Sequence, residues 1–235
     1  MKGTLQTLKI DGQNFEVYMP AVRDNMAAIY VLGDMPWLHY VLGKIEAQMG
    51  KALRPCALIS VPYGDWNDDF SPWPASAVHK DRPGFAGGAG AFLQNLTNNT
   101  LPLIRKELAL SQEAQDTGII GYSLAGLAAL YALYCTQCFR LIGSLSGSLW
   151  YEGWIAYMQA HPVANAGAKV FLSLGKKEEK TRHPLFSTIG DCTRSAHEML
   201  LAQLEEKNVH LLFNDGGHGT QVEQRFLAAL NYLLC

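Results

Sequence analysis

Residues 116–133 read D-T-G-I-I-G-Y-S-L-A-G-L-A-A-L-Y-A-L, and this stretch narrows the choice of fold more than any other. The run Thr117 to Ile120 has the apolar, β-branched character of a buried strand, and the alanine- and leucine-rich run from about Leu124 has that of a helix. So little chain separates them that strand must turn sharply into helix. Gly121 and Ser123 match the first half of G-x-S-x-G, a turn in which small residues let strand and helix approach while the serine hydroxyl stands above the end of the sheet. The last position of the pattern holds Ala125, and Gly126 comes one place later. A buried strand–helix unit whose serine merely starts a helix would read the same way, so the rest of the chain has to supply partners for Ser123.

Taken in order, the chain surrounds this unit with more of the same alternation. Thr4 to Met19 alternates about Gly12 and Gln13, as expected for a hairpin at a sheet edge ended by Pro20. Ala27 to Leu32 and the C-A-L-I-S-V run after Pro55 are continuously apolar, the mark of strands covered on both faces. Between them Leu38, Val41, Leu42, Ile45 and Met49 form one helical face that Gly50 stops. Residues 62–90 make a long loop rich in Gly, Pro, Asp and aromatic residues, a composition suited to binding. Helical turns are expected on either side of N-L-T-N-N-T-L-P, with Pro102 in the first turn of the later piece. Strands are expected at Leu141 to Leu145, Lys169 to Leu174 and Val209 to Phe213, and helices at Ser195 to Lys207 and from Val222 to Leu234. Strands alternating with helices predict a single α/β domain over 1–235, with a mostly parallel sheet covered on both faces and an antiparallel N-terminal edge.

Hydrophobic residues make up 49% of the 235 and charged residues 17%, enough apolar surface for one large core. The 19 basic residues against 21 acidic ones give net charge -2, which argues against nucleic acid as the main partner. The five cysteines are scattered and odd in number, a pattern of free thiols in a reducing compartment. Cys135-T-Q-Cys138 lacks both a redox-fold context and a second pair at metal spacing. With no signal-like leader and no apolar span of membrane length, a soluble cytoplasmic protein without membrane partners is the expectation. Oligomeric state cannot be read from the chain.

In an open α/β sheet the loops beyond the carboxyl ends of the strands build the site, and Ser123, Glu178 and His218 all fall in such loops. A serine hydroxyl needs a base to take its proton, and an imidazole suits that role; His218 lies in N-D-G-G-H-G after the last strand. An acid must orient the imidazole, and Glu178 in L-G-K-K-E is first choice, with Glu179 and Asp215 as rivals. The order serine, acid, histidine is the one this kind of sheet uses. For a developing oxyanion the Leu124 N–H at the helix start is one donor, and Gly33, Asp34 or Met35 in the loop after the Ala27 to Leu32 strand supplies the second. Trp66, Trp73, Trp150, Tyr151 and Trp154 either line an aromatic pocket or pack the core. No metal-ligand cluster is visible, and the remaining histidines are treated as structural or surface groups.

At these residues the chain resembles the putative esterase family of α/β-hydrolases, the group of esterase D, feruloyl esterases and siderophore trilactone esterases. The resemblance starts near Phe15 and rests on V-L-G-D, I-S-V-P-Y-G-D-W, F-S-P-W, F-A-G-G-A-G-A-F-L-Q-N-L, I-G-Y-S-L-A-G-L-A-A-L-Y-A-L, S-L-G-K-K-E and D-G-G-H-G. It implies an α/β-hydrolase fold with Ser123 as nucleophile, His218 as base and Glu178 in the acid position. Ala125 departs from the usual glycine, and glutamate at the acid position is a feature of the siderophore-type branch. The function expected is a serine carboxylic ester hydrolase acting through an acyl-enzyme on a small-molecule ester, with neither metal nor organic cofactor. A thioesterase and a hydrolase-fold binding module with an inert site are the alternatives.

Overall fold

A computed structural model describes residues 2–235. Eight strands form one sheet in the order β1-β2-β4-β3-β5-β6-β7-β8. They are β1 (Thr4–Ile10), β2 (Gln13–Met19), β3 (Ala27–Leu32), β4 (Cys56–Val61), β5 (Thr117–Tyr122), β6 (Leu141–Leu145), β7 (Lys169–Gly175) and β8 (Val209–Asn214). The hairpin β1–β2 turns at Asp11 and Gly12, both at positive φ, and joins the sheet antiparallel at β4; every later pairing is parallel. β3 and β4 are buried at every residue, as continuous apolar runs covered on both faces should be.

Helices cover both faces. On one side α1 (Leu38–Gln48) and α8 (Val222–Leu234) bury Val41, Ile45, Phe226 and Leu230, with Trp37 stacked on Phe226 at 4.1 Å between ring centroids. On the other side lie α3 (Ala89–Asn95), α4 (Leu101–Leu108), α5 (Leu124–Cys135), α6 (Trp154–Ala160) and α7 (Ile189–Leu201), around Leu93, Ile104, Leu127, Leu130, Met158 and Leu200. α5 is apolar on nearly every side and buried accordingly, because β5, β6 and the aromatic residues of α6 enclose it. The architecture is the mostly parallel, doubly covered sheet of the α/β-hydrolase class.

Two segments differ from the sequence pattern by more than a residue or two. The N-L-T-N-N-T segment does not interrupt a helix: Leu96–Thr100 forms a π-helical turn that joins α3 to α4. A widened turn accommodates Pro102, which has no N–H for the regular ladder, and Leu96 stays buried within it. α7 begins at Ile189, not Ser195, and ends at Leu201. Gly190, Asp191 and Thr193 are weak helix formers, yet Ile189, Gly190 and Thr193 are buried, so tertiary packing overrides propensity. In the long loop of residues 62–90 a single helical turn, α2 (Trp66–Asp69), is capped by Asp65, whose carboxylate accepts the Asn67 and Asp68 N–H groups. Asp69 accepts from Gly64, and Asp68 accepts from Ala86 across the loop. These acids serve turn chemistry.

Candidate active site

β5 runs between β3 and β6 and ends at Tyr122; the next residue, Ser123, adopts φ 60° and ψ −124°. This is strained backbone for a residue with a side chain, held by Ser123 N–H donating to Leu145 and by Ser123 C=O accepting from Ser148. Gly121 is obligatory, since any β-carbon there would fall inside the Ala125 carbonyl. Ala125 itself is fully buried without conflict. The close crossing toward β6 belongs to Gly126, where a β-carbon would lie 3.0 Å from the Gly147 Cα. The alanine at the end of the turn pattern is therefore compatible with it, because the tightest contacts use the glycines on either side.

His218 arrives from the loop after β8. Its Nε2 lies 3.0 Å from Ser123 Oγ, and its Nδ1 lies 2.7 Å from Glu178 Oε2. With Nδ1–H donating to the Glu178 carboxylate, the lone pair on Nε2 faces the serine hydroxyl. Glu178 follows β7 and is 6% exposed at its side chain, whereas that of His218 is 51% exposed. The second carboxylate oxygen, Oε1, accepts from Ser146 Oγ at 2.7 Å, the Gly175 N–H at 2.7 Å and Arg225 Nη1 at 2.8 Å. Burial alone would raise this carboxyl; the bonds from His218, Arg225, Ser146 and Gly175 outweigh it and hold it down at about 2. The rival acids point elsewhere: Glu179 pairs with Arg194 at 2.8 Å, and exposed Asp215 pairs with Lys176 at 2.8 Å.

The structure adds groups that the sequence reading did not single out. Ser146, at φ 44° just beyond β6, reaches Glu178. Tyr122, the residue before the serine, donates its hydroxyl to the backbone carbonyl of His218. Arg225 on α8 is fully buried and donates from Nη2 to the Gly217 carbonyl at 2.8 Å. A signal for Arg225 was present: it shares the helical spacing of buried Ala229 and follows Val222 by three, so a cation stands on the face meant for the core.

Of the candidate oxyanion donors, Leu124 is the first residue of α5, where an N–H has no carbonyl four residues back. Gly33 is otherwise engaged: its N–H donates to the Val61 carbonyl at 3.0 Å, an isolated bridge just beyond the paired strands β3 and β4. Asp34, the next residue, is exposed in the loop that adjoins Trp66 through Gly33.

Two hollows meet at Ser123. One, of about 380 Å³, runs past His218, Lys177, Thr181 and Ile189; the other, of about 300 Å³, runs past Leu124, Trp66, Phe85, His79 and Arg82. Trp150, Phe186 and Ser148 border both, and the Trp150 and Phe186 rings meet edge to face with centroids 5.0 Å apart. The five aromatic candidates therefore divide. Trp66 and Trp150 wall the hollows at the serine. Trp73, Tyr151 and Trp154 do not: Trp154 is wholly buried, Trp73 donates its indole N–H to the Glu152 carbonyl at 2.8 Å and stacks on Trp154, and Tyr151 donates to the Trp73 carbonyl at 2.6 Å. They pack the roof that holds the walls, and Tyr151 borders a neighbouring depression instead. Among the described residues, three or more His, Cys, Asp or Glu side chains do not gather at metal-binding range, and no helix is long and apolar enough to cross a membrane.

Residues 14–232 match the model of the family described as Putative esterase. The chain is 27% identical over 242 residues to the uncharacterized protein YbbA of Bacillus subtilis strain 168, covering 99% of this chain and 97% of that one. Among solved structures it superposes on an IroE-like serine hydrolase from Shewanella oneidensis at TM-score 0.77 and 14% identity, over 99% of this chain and 80% of that one. The BES protein from Bacillus cereus gives 0.70 and 19%, with 100% and 97% covered. The enterobactin esterase FES from Shigella flexneri gives 0.71 and 18%, over 99% of this chain, which spans only 59% of the length of that one. These likenesses agree in fold with the parallel sheet and its covering helices, and the family match extends over nearly the whole length. The chain belongs to the Putative esterase family, an esterase by family and an α/β-hydrolase by fold.

Proposed function

We propose that this protein hydrolyses carboxylic esters through Ser123, His218 and Glu178, by way of an acyl-enzyme. The observation that carries the reading is the continuous hydrogen-bonded path from Ser123 Oγ through the imidazole, 3.0 Å to one nitrogen and 2.7 Å from the other, to a buried carboxylate. Ser123 Oγ attacks the ester carbonyl while His218 Nε2 takes its proton; Glu178 stabilises the imidazolium, which then returns the proton to the departing alkoxide. Water then attacks the acyl carbon, giving its proton to Nε2; the bond from that carbon to Ser123 Oγ breaks, the imidazolium returns the proton to Oγ, and the acid leaves. The Leu124 N–H, at the positive end of α5, is the first oxyanion donor; the second is assigned to the Asp34 or Met35 N–H of the loop after β3, since Gly33 is committed to Val61.

The leaving oxygen must face His218, so the alcohol portion is assigned to the hollow that holds His218 and Lys177, and the acyl portion to the aromatic-walled hollow beside Leu124. Solved relatives named for enterobactin and siderophore hydrolysis put siderophore esters first among natural substrates to be tried. The inert-module reading required a Glu178 turned to solvent; a carboxylate bonded to His218 and 6% exposed favours the working site. The test is hydrolysis of a panel of aryl, alkyl and siderophore esters, with thioesters included, by the wild type and by Ser123→Ala. Ester turnover that disappears in the variant supports the reading; turnover equal in both proteins, or none with any ester, overturns it.

A further inference from the structure

The two oxygens of Glu178 have different partners. Oε2 serves His218 alone, while Oε1 is held by three donors from three elements: Gly175 at the end of β7, Ser146 beyond β6 and Arg225 on α8. Arg225 is the charged member of that set and has no exposed surface. Its Nη1 bonds Glu178 and Ser146, and its Nη2 bonds the Gly217 carbonyl, one residue before His218. The guanidinium also stands 5.9 Å from the centre of the Tyr122 ring, whose hydroxyl holds the His218 carbonyl. One cation thus touches the acid directly and the base loop twice, once through Gly217 and once through Tyr122.

A buried ion pair is a poor source of stability, because desolvation cancels most of the attraction and apolar residues of similar size serve as well. Its geometry is a better reason for this one. Resting on the reading of Ser123, His218 and Glu178 as the reacting set, we propose that Arg225 is the positioning residue of this site, fixing the acid and the histidine loop at one spacing. The planar fork is suited to this, because two donors at a fixed angle span Oε1 and the Gly217 carbonyl at 2.8 Å each, which an ammonium on a flexible stem does not reproduce. The arrangement is filled to capacity, since a β-carbon on Gly175 would lie 2.8 Å from Nη2, 2.9 Å from Glu178 Oε1 and 2.6 Å from the Gly216 carbonyl. The groups facing His218 are Glu178 from the β7 loop, Tyr122 from β5, Arg225 from α8 behind the acid, and Lys177 on the wall of the adjoining hollow.

The experiment measures kcat, KM and the pH profile of kcat/KM with p-nitrophenyl acetate for the wild type, Arg225→Lys, Arg225→Met, Glu178→Gln and the Glu178→Gln/Arg225→Lys double variant. Arg225→Lys keeps the charge and loses the fork: kcat is expected to fall about tenfold or more with KM within about twofold, and the acid limb to stay in place. Arg225→Met loses charge and fork together, so kcat falls at least as far as in Arg225→Lys. In the Glu178→Gln background Arg225→Lys costs less than about twofold, because the acid through which it acts is already gone. A folded Arg225→Lys with wild-type kcat overturns the proposal, and so does an equal loss in both backgrounds, which marks a general effect on folding. Gly175→Ala gives a second reading that keeps every charged group. A methyl pressed between the fork and the carboxylate is expected to lower kcat about tenfold, and unchanged kcat contradicts the proposal. Absence of Ser123-dependent turnover in the wild type would instead mark failure of the underlying reading.

Discussion

The two halves of the site are built by different physics. The serine half is local and apolar: Gly121, Ser123, Ala125 and Gly126 lie within six residues, and the α5 residues behind them are nearly all buried against β5 and β6. Its placement comes from the close approach of backbone to backbone, which only glycine permits at Gly121. The acid–base half is non-local and polar. His218, half exposed on its loop, is reached by Glu178 from 40 positions away, and Glu178 by Arg225 from 47. A serine held by packing loses its place when volume changes; an imidazole held by charges and hydrogen bonds loses its place when charge or donor geometry changes.

Substitutions that keep shape but alter charge should therefore damage the second half most. Glu178→Gln is expected to lower kcat roughly 10²–10⁴-fold, measured with an aryl ester, because on the proposed mechanism the neutral amide no longer stabilises the imidazolium. Next comes Gly121→Ala, where the added methyl meets the Ala125 carbonyl; chemical denaturation should report a loss of about 1–3 kcal/mol or a failure to fold. The apolar half thus loses stability where the polar half loses rate, and a stable, active Gly121→Ala would remove the distinction.

The polar half also carries a pH signature. Glu178 is ionised and held at about 2 in the folded chain, below an unfolded value near that of a free glutamate. A depressed carboxyl stabilises the fold above its unfolded pKa, and that contribution drains away as pH falls toward the folded one. Urea midpoints taken from about pH 6 down to about pH 3 should fall more steeply for the wild type than for Glu178→Gln. Tyr122→Phe removes one tether of the His218 loop, worth about 1 kcal/mol; a drop of a few-fold in kcat/KM is expected. The smallest effect belongs to Asp215→Asn. Asp215 pairs with Lys176 on the surface and does not touch His218, so neither rate nor denaturation midpoint should change.

The sheet was legible because its strands are written as continuous apolar runs: β3 spans Ala27–Leu32 as the pattern predicts, and β6 spans Leu141–Leu145. The π turn at Leu96–Thr100 was not, because Asn and Thr look like a break unless the burial of Leu96 is known. The start of α7 was hidden for the same reason, with buried Ile189 and Thr193 outweighing weak propensity. In the site, chain order and strand ends singled out Ser123, Glu178 and His218, which the fold brings within hydrogen-bond reach of one another. The Gly33 donor was misleading, since position along the loop does not reveal that its N–H completes a pairing with Val61. Arg225 was overlooked because a charge within an amphipathic helix reads as solvent-facing; only its spacing with Ala229 betrays the buried face.

The assignment of Ser123 as nucleophile is tested covalently. Incubation of the folded protein with a fluorophosphonate, followed by peptide mass mapping, should place the adduct on Ser123, with labelling lost in Ser123→Ala and strongly slowed in Glu178→Gln. A folded wild-type protein that takes no label, or one labelled at another serine, would contradict the assignment of Ser123 as the activated nucleophile.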